Sequence, residues 1–234
     1  MAKKSKQLIG ECVHCGIRGP VTSDHIPPKG LFAPPRPKLI TVPSCKSCNV
    51  GASKDDEYFR AMLSFHDTAG DHPDARRVRD KVFRGLARPE STGLRSRIAN
   101  ATREVSVIST NGLFVGRRLA YDVDLIRLDR VVRRTLTGLY YSEIGYRLPD
   151  GYIAEVYSED GLRDMSASAV EEMHRELIRP ALANVPRTIG NNVLRYWFAL
   201  ASDHPNVSGW VFQFYERISF LGITVPGESG DVLK

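Results

Sequence analysis

Two identical cysteine pairs, Cys12-Val13-His14-Cys15 and Cys45-Lys46-Ser47-Cys48, use all 4 cysteines of the chain. This arrangement constrains the fold more than any other feature. Thiolates at i and i+3 meet one metal where the turn between them is tight, and two such pairs complete a tetrahedral shell for Zn²⁺. A redox CxxC is the competing reading, but it usually occurs singly beside a βαβ pattern, which is absent here. Chance is a poor explanation, because no cysteine is left over. The zinc ligands expected are therefore Cys12, Cys15, Cys45 and Cys48. His14 lies inside the first pair and is expected to be exposed.

Gly16 and Gly19 favour a knuckle around the first pair, and the second pair should open a helix beginning near Asn49. A knuckle, a hairpin and a helix closed by one zinc make a treble-clef arrangement. A segment of about 60 residues with few large apolar side chains needs such a staple to fold. The compartment should keep the thiols reduced. The basic start, residues 1–6, is followed at once by Gly10-Glu11 without an apolar stretch, so no signal peptide is expected and the cytoplasm is the expected location. No apolar run is long enough to span a bilayer, so no membrane partner is expected. A net charge of +6 is compatible with a polyanionic partner without requiring one.

Residues 27–43 carry six prolines and should form a stiff, irregular loop. A helix is predicted after residue 50, with Ser53 as N-cap, Asp55, Asp56 and Glu57 in the first turn, and Tyr58, Phe59, Met62, Leu63 and Phe65 as its apolar stripe. Gly70 to Pro73 breaks the pattern and divides the chain into a module, 1–69, and a second domain, 70–234. In the second domain, residues 74–87 read as a basic amphipathic helix with Val78, Val82, Phe83 and Leu86 inward. A short helix is expected near 94–101, and Asn111-Gly112 signals a hairpin closed by 113–121. Residues 125–144 read as a helix, 153–157 as a strand, and 168–182 as a helix closed by Pro180. Three β-rich runs follow, 193–201, 209–215 and 218–225. The fold class expected is α+β: a zinc-stapled module followed by a domain with a mostly antiparallel sheet.

Between the cysteine pairs lies Asp24-His25-Ile26-Pro27-Pro28, and Asn49 follows Cys48 directly. In order and spacing, residues 11–60 resemble the zinc-containing branch of the HNH endonucleases, the ββα-metal nucleases. The resemblance implies that Asp24 and Asn49 hold a catalytic Mg²⁺ or Mn²⁺ and that His25 is the general base. The residue types suit these roles. Oxygen ligands fit a hard cation, and a neutral imidazole takes a proton from water near pH 7. The chain departs from the family at two places. The usual Asn before the second cysteine pair is missing from Leu39-Ile40-Thr41-Val42-Pro43, leaving Thr41 or a backbone carbonyl to orient the base. One turn along the helix, Ala52-Ser53-Lys54-Asp55 stands where many members carry a histidine or a lysine. Lys54 would contact phosphate there, and Asp55 would join the metal shell.

Lys29, Arg36, Lys38, Lys46 and Lys54 surround the expected site in sequence, and Lys29 and Lys54 are the expected phosphate contacts. Arg77, Arg84, Arg88 and Arg95, and likewise Arg127, Arg130 and Arg134, recur at helical spacing. A DNA-facing stripe and a solvated face both fit such spacing, the second more often. Aromatic runs such as Tyr196-Trp197-Phe198 read as core, and Asp203-His204 reads as a turn. The function expected is a metal-dependent endonuclease acting on DNA, with RNA as the other polyanion. The rival is a treble-clef module that binds nucleic acid or a protein without cutting.

Overall fold

The computed structural model describes residues 8–227, and the basic start at 1–6 lies outside them. Strands β1 (Leu8–Glu11), β2 (Arg18–Ile26) and β3 (Ile40–Cys45) form one antiparallel sheet with β2 in the middle. The β1–β2 connection carries Cys12 and Cys15. It turns tightly because Gly16, at φ 72°, enters the left-handed region open to glycine. Between β2 and β3, the proline-rich loop makes a single 3₁₀ turn at Lys29–Leu31 and buries Leu31 and Phe32.

Helix α1 (Lys46–Gly51) leaves β3 directly, and α2 (Ser53–Phe65) follows after one residue. Ala52, not Ser53, occupies the cap position of α2; its carbonyl accepts from the amides of Asp55 and Asp56, and no side chain caps the helix. Helix α3 (Pro73–Leu86) starts on Pro73, and the His72 ring accepts from the Asp74 amide. Val78 and Val82 are buried as expected. Phe83 is not: it is 56% exposed and stacks on Phe65 at 4.9 Å between ring centroids. A surface pair thus takes up a residue that periodicity alone assigns to the core.

Helix α4 (Thr92–Ala101) leads into the hairpin of β4 (Thr102–Ile108) and β5 (Phe114–Tyr121), which turns at Gly112. Helix α5 (Leu125–Ile144) is capped by the Asp124 side chain and closed by Gly145 in the left-handed region. Strand β6 (Tyr152–Tyr157), α6 (Glu159–Arg163) and α7 (Ala167–Met173) follow. A π turn, His174–Ile178, then leads into α8 (Arg179–Leu182). The helix expected over 168–182 is thus present in extent but interrupted. Pro180 sits in its final turn instead of ending it, and the wider π turn just before it relieves the missing amide bond. Strands β7 (Arg187–Ile189), β8 (Leu194–Leu200), β9 (Ser208–Phe214) and β10 (Ile218–Pro226) complete a sheet of order β6-β10-β9-β8-β7. Every neighbouring pair in it is antiparallel. The fold is mixed α+β with antiparallel sheets.

Helix α5 holds these parts together. Leu128, Val131, Val132, Leu136 and Leu139 line its buried face. One buried cluster joins Val13 of the β1–β2 turn, Ile26 and Val42 of the first sheet, Phe59 of α2, Leu136 of α5, and Trp210, Phe212 and Phe214 of β9. The break at residues 70–73 therefore falls within a shared core. Gly138 lets α5 approach β2, since a Cβ there would lie 2.5 Å from Ile26 Cγ1. Among the described residues, no helix is long and apolar enough to cross a membrane.

Candidate functional site

The sequence brings four thiols to one point by three routes: the β1–β2 turn, the end of β3 and the first turn of α1. The sulfurs of Cys12, Cys15, Cys45 and Cys48 all lie within 4.8 Å of one another. Cys15 and Cys45 Sγ are 3.8 Å apart. Tetrahedral Zn–S bonds of about 2.3 Å require sulfur–sulfur edges of about 3.8 Å, so this spacing suits zinc and is far too long for a disulfide. The thiols are also set against one another in protonation. The Ser47 hydroxyl, 3.0 Å from Cys45 Sγ, is the largest of several hydrogen bonds that lower the Cys45 pKa to about 6. Burial pushes Cys48 and Cys15 up. A divalent cation at the centre would let all four ionise together. The cluster is therefore a suitable cage for a structural metal such as zinc.

Just beyond this cluster, β2 presents Asp24 and His25. Cross-strand pairing places Asp24 opposite Val42 and His25 opposite Thr41. Neighbours on a strand face opposite ways. Asp24 points inward and is buried, while His25 is half-buried and Thr41 exposed. Helix α1 carries Asn49 back to the same strand: its Nδ2 donates to Thr22 Oγ1 at 3.0 Å and to the Ser23 carbonyl at 3.3 Å. The carboxamide is thus anchored on the two residues that precede Asp24-His25.

Asp24 has partners that its sequence neighbourhood does not announce. Its Oδ2 lies 3.1 Å from His14 Nε2 and 3.6 Å from Arg134 Nε. Its Oδ1 has no hydrogen-bond partner among the described residues. His14 is not exposed as expected; its side chain is 8% exposed, with Nδ1 3.0 Å from Thr137 Oγ1 of α5. The β1–β2 turn faces α5, and the imidazole fills the gap between them. Arg134 is likewise buried. Its Nη2 donates to Asp56 Oδ1 at 2.5 Å, so one guanidinium serves two carboxylates. Burial pushes the Asp56 carboxyl up, against the pull of Arg134.

The remaining expected site residues are dispersed around this centre. Lys29 is exposed in the 3₁₀ turn, four residues after His25. Lys54 is exposed at the start of α2, and its carbonyl accepts from Arg127 Nη2. Asp55, expected as a further member of the metal shell, is held by Arg127 Nε at 2.6 Å and Arg130 at 3.6 Å. Of the arginine stripe on α5, Arg127 and Arg134 are therefore structural ion-pair partners, and only Arg130 is mostly exposed. Sequence reading missed His14, Asp56 and Arg134 as members of this polar cluster. Helical spacing marked Arg134, but nothing local tied it to Asp24, 110 positions away.

Comparison of the chain with family models, with curated proteins and with solved structures gives no match.

Proposed function

We propose that the chain is a metal-dependent endonuclease of the ββα-metal type, stapled by a treble-clef zinc site and acting on nucleic-acid phosphodiesters. One observation carries the reading: α1 ties the Asn49 carboxamide to Thr22 and Ser23, beside Asp24-His25 and next to the four-thiol cage. The donor types fit a hard cation: the Asp24 Oδ1, which has no hydrogen-bond partner among the described residues, and the carboxamide oxygen of Asn49. When bound, Mg²⁺ or Mn²⁺ supplies positive charge to the phosphate oxygens at the scissile bond. His25 takes the proton from the water that attacks phosphorus. The P–O3′ bond breaks, and the leaving oxygen collects a proton to give 5′-phosphate and 3′-hydroxyl ends. Thr41, the cross-strand neighbour of His25, or a backbone carbonyl would orient the imidazole. Lys29 and Lys54 supply charge to flanking phosphates.

A second reading rests on the burial of Asp24, whose side chain is 6% exposed and already faces His14 and Arg134. A carboxylate so paired serves the fold, and the module would then bind without cutting. Incubation of supercoiled plasmid with purified protein and Mg²⁺ or Mn²⁺ separates the two. Nicking by the wild type, reduced about 10²–10⁴-fold in His25→Ala, is the expected result. Equal binding by both proteins, with no cleavage under either metal, would establish the second reading.

A further inference from the structure

Beyond the hydrolytic set, a basic groove of about 780 Å³ lies between α2, α3 and the proline-rich loop. Arg60, Arg77, Lys81, Arg84 and Arg88 line it. Arg77, Lys81 and Arg84 stand at i, i+4 and i+7 of α3, on the face opposite the buried Ala75, Val78 and Val82, and Arg88 follows in extended backbone just past the helix end. All four are exposed, and among the described residues none makes an ion pair or a side-chain hydrogen bond. Arg60 adds a buried Nε without a hydrogen-bond partner, and its nearest carboxylate, Glu57, is 3.8 Å away. Glu57 and Glu90 are the acidic residues lining the groove, against five cations. A solvated helix face normally carries its charges interspersed with partners. This one does not.

The geometry points to a track for a nucleic-acid phosphate backbone along α3. Arg77 to Arg84 spans about 10 Å at 1.5 Å per residue. One DNA strand places a phosphate every 3.4 Å along the axis, so three cations meet about three phosphates over that length. The track also runs on beyond α3. Ala33 and Pro34, in the loop that leaves His25, form one wall. Glu57, Glu90 and Ser91 continue into a second trough lined by Lys54, Arg97 and Arg127. The choice of a nucleic acid as the polyanion rests on the proposed function, but binding on this face does not require cleavage.

Fluorescence anisotropy of a short labelled DNA duplex, without added divalent metal and without chelator, tests the track. Over about 50–200 mM salt, log K against log salt should fall with a slope of at least about −3.6, or 0.9 for each of four cations. In Arg77→Glu/Arg84→Glu the slope should lose about 1.8 and the affinity should drop tenfold or more. Arg77→Gln/Arg84→Gln should lose the same slope with a smaller drop in affinity, and it serves if the reversal does not fold. Arg163→Glu/Arg175→Glu, outside the groove, carries the same charge change and should leave the slope intact. Equal losses in both reversals, no duplex binding by the wild type, or binding to phosphatidylserine vesicles in preference to duplex would each overturn the track. Failure to nick plasmid while these results hold would remove the nuclease reading and leave the track standing.

Discussion

Arg134 stands between Asp24 and Asp56, with a side chain 9% exposed and Nη1 lacking any hydrogen-bond partner among the described residues. A buried carboxylate, Asp24, and a half-buried one, Asp56, therefore share one cation. Removing one member of a buried pair leaves an uncompensated charge and costs about 3–5 kcal/mol. Arg134→Met keeps the apolar stem and deletes that charge. Denaturant unfolding should show a loss of about 3 kcal/mol, and Arg134→Met/Asp24→Asn should recover part of it. A single variant as stable as the wild type would show that solvent already neutralises Asp24. At this scale the sequence was a partial guide. Asp24, His25 and Asn49 stand out as candidates because they lie in fixed order around the cysteines, and the hydrogen bonds of Asn49 bring it to the strand that carries the other two. The partners of Asp24 do not stand out, because a pairing across 110 residues is set by how α5 docks and leaves no local pattern. His14 went unread for the same reason, since its environment is made by Thr137 of a distant helix.

Among the elements, α5 follows its apolar periodicity because it buries one continuous face, and β9 follows its apolar run because it is buried on both faces, between the main cluster and the smaller one that holds Val211 and Ile223. The helix over 168–182 keeps its expected extent, but local reasoning gives no sign of the π turn inside it. Its π turn packs on β9, where Gly209 lies beneath the Leu177 carbonyl. A Cβ at 209 would meet that oxygen at 2.2 Å. Such a contact with backbone is not relieved by a rotamer change, so the π turn would have to move off the sheet. Gly209→Ala should cost about 1–3 kcal/mol or more and lower the melting temperature by about 3–10 °C. Gly93→Ala in α4, where nothing lies within 4 Å, is the matched control and should not lower it. Equal melting of both variants and the wild type would mean that the strand and the π turn are not in contact. No propensity scale marks residue 209, because the requirement for glycine there comes from another element.

For the molecule as a whole, the shared core predicts cooperative behaviour that the break at residues 70–73 does not. Val13, Ile26 and Val42 beside the metal cage belong to the same buried cluster as Trp210 and Phe214. A change at the cage should therefore reach the C-terminal sheet. Binding of structural zinc is worth about 10 kcal/mol or more in small modules, comparable to the whole stability of a domain. Cys45→Ser should accordingly reduce zinc content and lower the melting temperature of the entire chain by about 10 °C or more. It should do so in a single calorimetric transition, read equally by far-ultraviolet circular dichroism and by the fluorescence of buried Trp210. If instead Trp210 reports a transition at the wild-type temperature while the thiol cage is already lost, the two parts fold independently. The contacts of α5 with β2 and β3 would then contribute little to stability. Coupling of this kind would also explain why Asp24 is fastened to α5 through Arg134. A strand that carries the proposed hydrolytic residues would be held in place by both the metal and the core, so that loss of either displaces His25.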